Sequence, residues 1–461
     1  MKKIAIAVAL FISTGAYAQN KPAVFKDGDK IVFAGNSITE AGFYGLYIWQ
    51  YYMLHFPERK IVVANGGVGG DVAGQILARF DGDIIGQKPT VVVVTFGMND
   101  SRYFEYINKP VAEVRKEAVQ TSFNSYKEIE KKMQALPAIK KIIMTSSPYD
   151  ETVTGPQNNF HGKYGTMLEI AKFQKESAIK NNWGFVDLMT PMTAVDVREQ
   201  KRDTNFTLTG TDRIHPGNAG HLAMAYFFLK AQGLTGLPVA DVVVNATTKK
   251  SVKAVNSSIT NIKAAAGKVS FDYKANSLPF PIDTVARVWG NPQKQIEALA
   301  VIPFTNDLNK EQLSVTGLNA NAKYALKIDG EEIGQWKGSE FSKGINLAMI
   351  SSTPQYRQAQ KIADLNLQYR ELEQKIRGYY WLQYNFFKKK NMFMDDSQAA
   401  MDSVTSNAGR DWGVASKKGY YEEARTKESR DNFEKQMNAI VDKIYATNKP
   451  LKHSIEVVLV K

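Results

Sequence analysis

Five short runs of apolar and β-branched residues, separated by helix-length amphipathic stretches, leave the first half of this chain few folds to adopt. The runs are 30–34 (KIVFA), 60–64 (KIVVA), 90–95 (TVVVVT), 141–145 (KIIMT) and 184–188 (GFVDL). Their interiors are nearly continuous in apolar residues. A strand covered on one face alternates with polar residues, whereas one covered on both faces does not, and cover on both faces is typical of a parallel sheet. Helix-length segments near 42–55, 72–85, 111–134 and 163–181 supply the covering layers. The alternation predicts an α/β domain with a doubly wound parallel sheet, whose site lies at the carboxyl ends of the strands.

After Gly236 the texture changes. Strand-like runs at 239–244, 269–273, 312–315 and 324–328 are separated by turn residues, and Asp329-Gly330 between 324–328 and 331–336 is a strong hairpin signal. This stretch reads as a small antiparallel, sandwich-like β module. From Thr353 the chain turns helical, with Pro354 where a helix begins. Residues 363–381 and 419–447 read as two long helices joined by a polar connection around 395–418. The run 453–460 alternates as a final strand returning to the β module. The aromatic residues Tyr379, Tyr380, Trp381, Tyr384, Phe386 and Phe387 stand at helical spacing and read as packing residues, with Trp412 the more exposed ring.

The amino terminus reads as an export signal. Lys2 and Lys3 precede an apolar run at 4–12, and Ala16-Tyr17-Ala18 gives a small-x-small cleavage pattern, so the mature chain is expected to begin at Gln19. The run is far below the ~20 residues that span a bilayer, so no stable membrane anchor is expected. The expected divisions are a signal peptide at 1–18, the α/β domain at 19–236, the β-rich module at 237–352, the helical segment at 353–450 and the returning strand at 451–461. The chain has no cysteine, which excludes disulfides, thiolate metal sites and Cys-His catalysis. Its formal charge of +13 is spread along the sequence rather than clustered with aromatics, which argues against a nucleic-acid partner.

Four turns carry residues suited to chemistry. The first strand runs into Gly35-Asn36-Ser37, where a glycine permits a tight turn that presents the serine hydroxyl at the sheet edge. The second runs into Asn65-Gly66-Gly67-Val68-Gly69-Gly70-Asp71, a glycine cluster whose backbone N–H groups can approach a ligand. It lacks the Gly-Lys-Ser/Thr ending of a nucleotide loop. The third ends in Gly97-Met98-Asn99-Asp100, placing an amide donor on the same rim. Downstream, Asp212 and His215 stand three apart, so both can face one point, and an imidazole oriented by a carboxylate is the partner a nucleophilic serine needs. His55 and His221 fall in helical patterns, and His161 falls in a loop.

Together these four turns resemble, in the right chain order, the four signature blocks of the SGNH hydrolases, also called GDSL-like esterases, over about residues 30–233. The resemblance implies a flavodoxin-like domain with Ser37 as nucleophile, Asp212 and His215 as its activating pair, and an oxyanion hole of the Ser37 N–H, the Gly70 N–H and the Asn99 amide. Asn36 departs from the aspartate that many members carry there. The Gly-x-Ser-x-Gly elbow of α/β-hydrolases is absent. Segments within 313–330 and 344–347 are similar to a C-terminal region that accompanies some bacterial SGNH proteins.

The expected activity is an exported carboxylic ester hydrolase, needing no metal or cofactor and acting on acylated carbohydrate, with O-acetyl removal from a polysaccharide or oligosaccharide favoured. Arg102, Tyr103 and His161 are the candidates for alcohol-side recognition, with the polar loop 150–163. Two other readings stand beside it: a lipid acylhydrolase or arylesterase, and a non-catalytic glycan-binding or envelope scaffold protein.

Overall fold

The computed structural model describes residues 20–155 and 159–460, so the expected signal peptide lies outside the described residues. The first half is built on five parallel strands: β1 (Lys30–Gly35), β2 (Val62–Gly67), β3 (Val91–Phe96), β4 (Lys140–Thr145) and β5 (Gly184–Val186), in the order β2-β1-β3-β4-β5. This is the doubly wound order in which the chain reverses direction between β1 and β3, and the crevice opens there. All six residues of β3 are buried. Val91 and Val93 pack into a cluster on one face and Val92 and Val94 into a cluster on the other, which is why the sequence run does not alternate.

The expected helices at 111–134 and 163–181 are present as Val111–Gln134 and Lys163–Lys180. The stretch expected as one helix at 72–85 is helical only over Ala73–Arg79, then widens into a π turn at Phe80–Ile84. Helix Asn218–Ala231 had no amphipathic signature because its apolar residues face packed neighbours nearly all round. Helix Phe43–His55 is more extreme. All thirteen of its residues are buried, since the sheet covers one side and the C-terminal helices cover another.

The second half holds two further sheets. Strands β6 (Ala240–Asn245), β7 (Lys250–Val255), β8 (Ser257–Ala265), β9 (Lys268–Ala275), β10 (Glu311–Thr316), β11 (Lys323–Ile328), β12 (Glu331–Lys337), β13 (Ile345–Asn346) and β14 (His453–Leu459) form the orders β13-β10-β6-β7 and β12-β11-β14-β9-β8. One apolar cluster, including Val242, Val315, Phe271, Leu326 and Ile455, fills the space between them. Asp329 and Gly330 both adopt left-handed backbone (φ 52 and 86), as a two-residue hairpin requires. The final strand does return: β14 inserts between β9 and β11.

Two expectations here need correction. The β module is not wholly antiparallel, because β6 and β10 pair in parallel; the chain between them makes the long crossover that such a pair needs. The helical segment is not two helices with a polar connection. It contains Pro354–Leu382, Gln398–Ala408, Trp412–Ala424 and Lys427–Thr447. The middle pair buries only a few residues, among them Ala400, Met401, Val404, Val414 and Tyr421, too sparse a stripe to mark helices within a polar stretch. Tyr379, Phe386 and Phe387 join that same cluster, so the aromatic run is packing, as its spacing indicated.

Where the β module meets the first long helix, Glu311 is buried and accepts hydrogen bonds from the Tyr273 hydroxyl (2.7 Å) and Gln355 Nε2 (3.0 Å). Burial outweighs these bonds and pushes its carboxyl up to about 7. A carboxyl raised in the folded state keeps its proton while the unfolded chain ionises, so stability is full below pH 4.5 and is lost as pH rises towards 7. Glu311→Gln is expected to gain on wild type across that window, reaching on the order of 3 kcal/mol above it. Urea unfolding at pH 4.5, 6 and 8 reads this difference, and an equal offset at all three would contradict it.

Candidate active site

Ser37 lies one residue past the turn that ends β1. The Asn36 side chain caps the short helix Ser37–Ala41 by accepting from the Ile38 N–H (3.1 Å), so asparagine does the work of an aspartate cap there. Across the crevice, Asp212 Oδ1 accepts from the backbone N–H of Ile214 and of His215 (both 2.9 Å), which closes a turn and aims the imidazole. His215 Nδ1 is 2.5 Å from Asp212 Oδ2, and His215 Nε2 is 2.8 Å from Ser37 Oγ. A carboxylate beside Nδ1 holds the ring proton on that nitrogen and leaves Nε2 to accept from the serine hydroxyl. Burial would raise the Asp212 carboxyl, but the hydrogen bond and charge of His215, with the two backbone donors, hold it below the usual carboxylate range.

The glycine turn after β2 approaches the serine helix closely. A Cβ on Gly67 would lie 2.2 Å from the Glu40 nitrogen, so only glycine fits. Gly70 has φ 88, stands in open space and is exposed. Asn99 Nδ2 donates to the Asp71 carbonyl (2.9 Å), which places its amide next to that turn, and an NH₂ retains a second hydrogen. The Asn99 Oδ1 accepts from the Tyr103 hydroxyl (2.6 Å), so Tyr103 fixes which way the amide points. Asp100, buried behind it, accepts from the N–H groups of Ala73 and Gly97 and from Ser122, tying the second and third turns together.

The three alcohol-side candidates stand in different settings. Tyr103 is occupied with Asn99, Arg102 leans towards Glu105 (3.8 Å), and His161 is exposed in the loop before helix Lys163–Lys180. The start of that loop is held by polar anchors: the Arg213 guanidinium donates to the Asp150 carbonyl (3.0 Å), and Asp150 accepts from Thr152 and Gln200.

Several supporting residues carried no signal in the sequence. Lys163 is buried and donates to Ser101 Oγ and to the Arg102 carbonyl (2.6 Å each), with its ammonium 3.7 Å above the Tyr103 ring. Burial pushes its pKa well down. From the far end of the chain, helix Pro354–Leu382 reaches the glycine turn. Glu373 accepts from the Asn65 N–H (2.7 Å), Arg377 Nε donates to the Gly67 carbonyl (3.1 Å), and Trp381 Nε1 donates to the Gly69 carbonyl (3.1 Å). Arg377 also makes a bidentate pair with Asp83, which shares Arg79 with Asp71, and all of these groups are buried. Glu40 accepts from the Gly69 N–H and pairs with Lys417 of helix Trp412–Ala424. These contacts cross some 300 residues, so no local pattern announces them. Among the described residues, no group of three or more His, Asp or Glu side chains is placed to hold a metal ion.

A doubly wound parallel sheet bearing this rim is the architecture of the SGNH hydrolases. Residues 33–223 match the family described as GDSL-like lipase/acylhydrolase, and the chain belongs to that family, as a carboxylic ester hydrolase. Residues 360–449 match a diltiazem deacetylase C-terminal helical domain. Over nearly its whole length the chain is similar to a gut microbial diltiazem-metabolizing enzyme of known structure: 42% identity over 95% of this chain and 99% of that one, with a TM-score of 0.92. It is also 26% identical over 223 residues to an acetylxylan esterase of Geobacillus stearothermophilus, covering 45% of this chain and 94% of the relative. Membership in an esterase family sets aside the reading as a non-catalytic scaffold. Among the described residues, no helix is long and apolar enough to cross a membrane.

The bracing of the glycine turn yields a prediction. Arg377→Ala leaves Asp83 short of a partner and frees the Gly67 carbonyl, at a cost of about 3–5 kcal/mol for a broken buried pair. Urea unfolding should show that loss, and hydrogen exchange should rise in the peptide spanning residues 65–72. Arg377→Lys, which cannot span Asp83 and Gly67 together, should fall between the two.

Proposed function

We propose that this protein is a serine O-deacetylase, with Ser37 as nucleophile, His215 as general base and acid, and Asp212 as the group that orients and charges the imidazole. The observation that carries the reading is the unbroken chain of contacts from Asp212 to His215 to Ser37, at 2.5 and 2.8 Å. His215 Nε2 takes the Ser37 proton as Oγ attacks the ester carbonyl, then delivers it to the departing alcohol oxygen. Water, activated by the same nitrogen, attacks the acyl-serine and releases the acid. The Ser37 and Gly70 N–H groups and the Asn99 amide are assigned to the oxyanion of each tetrahedral intermediate. Tyr103 fixes the Asn99 amide, so its part is positioning.

The favoured alcohol is a carbohydrate, on the likeness of the α/β domain to an acetylxylan esterase. The substrate would then be an acetylated polysaccharide or oligosaccharide, as expected for an exported enzyme whose signal peptide is 1–18. A second reading has its own support. The likeness to a diltiazem-metabolizing enzyme runs through the helical segment as well, which favours acetyl esters of aromatic, drug-like alcohols. The lipid reading has less in its favour, since the start of the loop after β4 is pinned by polar contacts where an interfacial lid would be apolar.

Acetate release from acetylated xylooligosaccharide, from diltiazem and from p-nitrophenyl esters of increasing chain length tests the proposal. Ser37→Ala is expected to lower kcat by at least roughly 10⁴-fold, and Asn99→Ala by about 10²–10³-fold. Undiminished release by Ser37→Ala would remove Ser37 from the reaction. A rate that climbs with acyl chain length would restore the lipid reading. The intact mass of protein recovered from the producing cell tests export, which predicts a chain beginning at Gln19.

A further inference from the structure

Two tryptophans stand in water beside the site. Trp289 is 82% exposed and Trp412 is 70% exposed, yet their ring centroids are only 5.6 Å apart, with planes inclined by 45°. Scattered exposed apolar residues need no explanation, but two large rings meeting at the surface form a patch, and such patches mark binding sites. The rings arrive from opposite ends of the second half of the chain.

Each ring is anchored to a different lip of the site. Trp289 sits in a loop whose Arg287 and Val288 N–H groups donate to Asn218 Oδ1 (2.6 and 3.2 Å). Two residues on, Asn291 Nδ2 donates to the carbonyl of His215 itself (3.1 Å), while its Oδ1 accepts from the Gln293 N–H. Trp412 opens a helix capped by Asp411, which accepts from the Val414 N–H (3.1 Å). Its neighbour Gly413 lies so close to Trp381 that a Cβ would come within 2.5 Å of that ring, and Trp381 donates to the Gly69 carbonyl. One ring is therefore tied to the His215 side and the other to the Gly69–Gly70 side. Between these two tethers the rings are in contact.

We infer that Trp289 and Trp412 form a two-ring platform that holds the alcohol portion of the ester by stacking against a flat ring face. An acetyl group offers almost nothing to grip, so selectivity must come from the alcohol, and neither Arg102, Tyr103 nor His161 supplies an apolar face that is both free and joined to both lips. The ligand chemistry is a ring with an apolar face, either a sugar ring presenting its C–H face or an aromatic system; indole stacks with both. This rests on the proposed deacetylase reading and deepens it by naming specificity-determining residues. It also gives the helical segment a role in the reaction beyond bracing the glycine turn, since without Trp412 the platform has only one wall.

The test compares substrates with and without a ring in the alcohol. Acetate release is measured for acetylated xylooligosaccharide, diltiazem and ethyl acetate, with wild type, Trp289→Ala, Trp412→Ala, the double alanine variant and the two single phenylalanine variants. The inference expects the ratio of kcat/KM on a ring-bearing ester to that on ethyl acetate to fall about tenfold in each alanine variant, mainly through KM, and further in the double variant. The phenylalanine variants, which keep a face, should recover most of the ratio. A fall confined to the sugar ester or to diltiazem supports the platform and names its ligand. An unchanged ratio in the double variant of an enzyme that wild type shows to be active, and Ser37→Ala shows to be serine-dependent, overturns the platform alone. Failure of wild type to release acetate from any of the three overturns the deacetylase reading and the platform with it.

Discussion

A guanidinium buried in protein must be paired, and Arg377 has its partners in another part of the chain. Asp83 takes two of its nitrogens and the Gly67 carbonyl takes the third. Because Asp83 is also held by Arg79, and Arg79 by Asp71 and the Gly35 carbonyl, the network reaches the ends of both β1 and β2. Neither half of the molecule can shift against the other without exposing an unpaired charge to an apolar surrounding, which is costly. The C-terminal helices are for this reason part of the wall of the α/β domain. The same docking covers one side of helix Phe43–His55, where the Arg370 guanidinium lies 3.8 Å from the centre of the Phe43 ring. Trp49 packs edge-on against Tyr369 (4.8 Å) and donates to the Tyr445 hydroxyl, closing that surface.

The consequence falls on the glycine turn. Glycines at 66, 67, 69 and 70 would permit the close approach of backbone to reactant that the proposed oxyanion site needs, and for the same reason they leave the turn without side chains to hold it. Glu40, Glu373, Arg377 and Trp381 supply from outside what the glycines cannot supply themselves. Preorganised donors are effective because they do not have to reorient as charge develops. On the other side of the crevice Lys163 performs the matching service for the turn carrying Asn99.

How much of this was legible in the sequence depended on whether the governing contacts were local. The five strands announced themselves because cover on both faces produces runs such as TVVVVT. Ser37, Asp212 and His215 could be singled out because each stands in a strand-end or loop turn with a residue type suited to acyl transfer, and the structure brings these three into contact; the roles given to Gly70 and Asn99 remain part of the proposal. Long-range requirements left no trace. Nothing near Arg377 signals a partner at Asp83, and nothing around Trp289 signals a ring at position 412. Strand β7 is exposed along its whole length and the alternation of β8 is broken by a bulge between Thr260 and Lys263, so neither carries the unbroken pattern of a half-buried strand, and the parallel pairing of β6 with β10 depends on a path through the residues from 246 to 310. Tyr103 was picked out from its place just past Asn99, but what the structure gives it is a hydrogen bond to that amide, a detail of geometry that residue type does not encode.

The central claim is that one serine, made nucleophilic by its contact with His215, carries the reaction. Incubation with a fluorophosphonate, which phosphonylates an activated serine, followed by intact mass and peptide mapping, tests it directly. A single adduct on Ser37 is expected, formed in wild type and lost in both Ser37→Ala and His215→Ala, with esterase activity falling in proportion to labelling. An adduct on another residue, or full activity surviving complete labelling of Ser37, would contradict it.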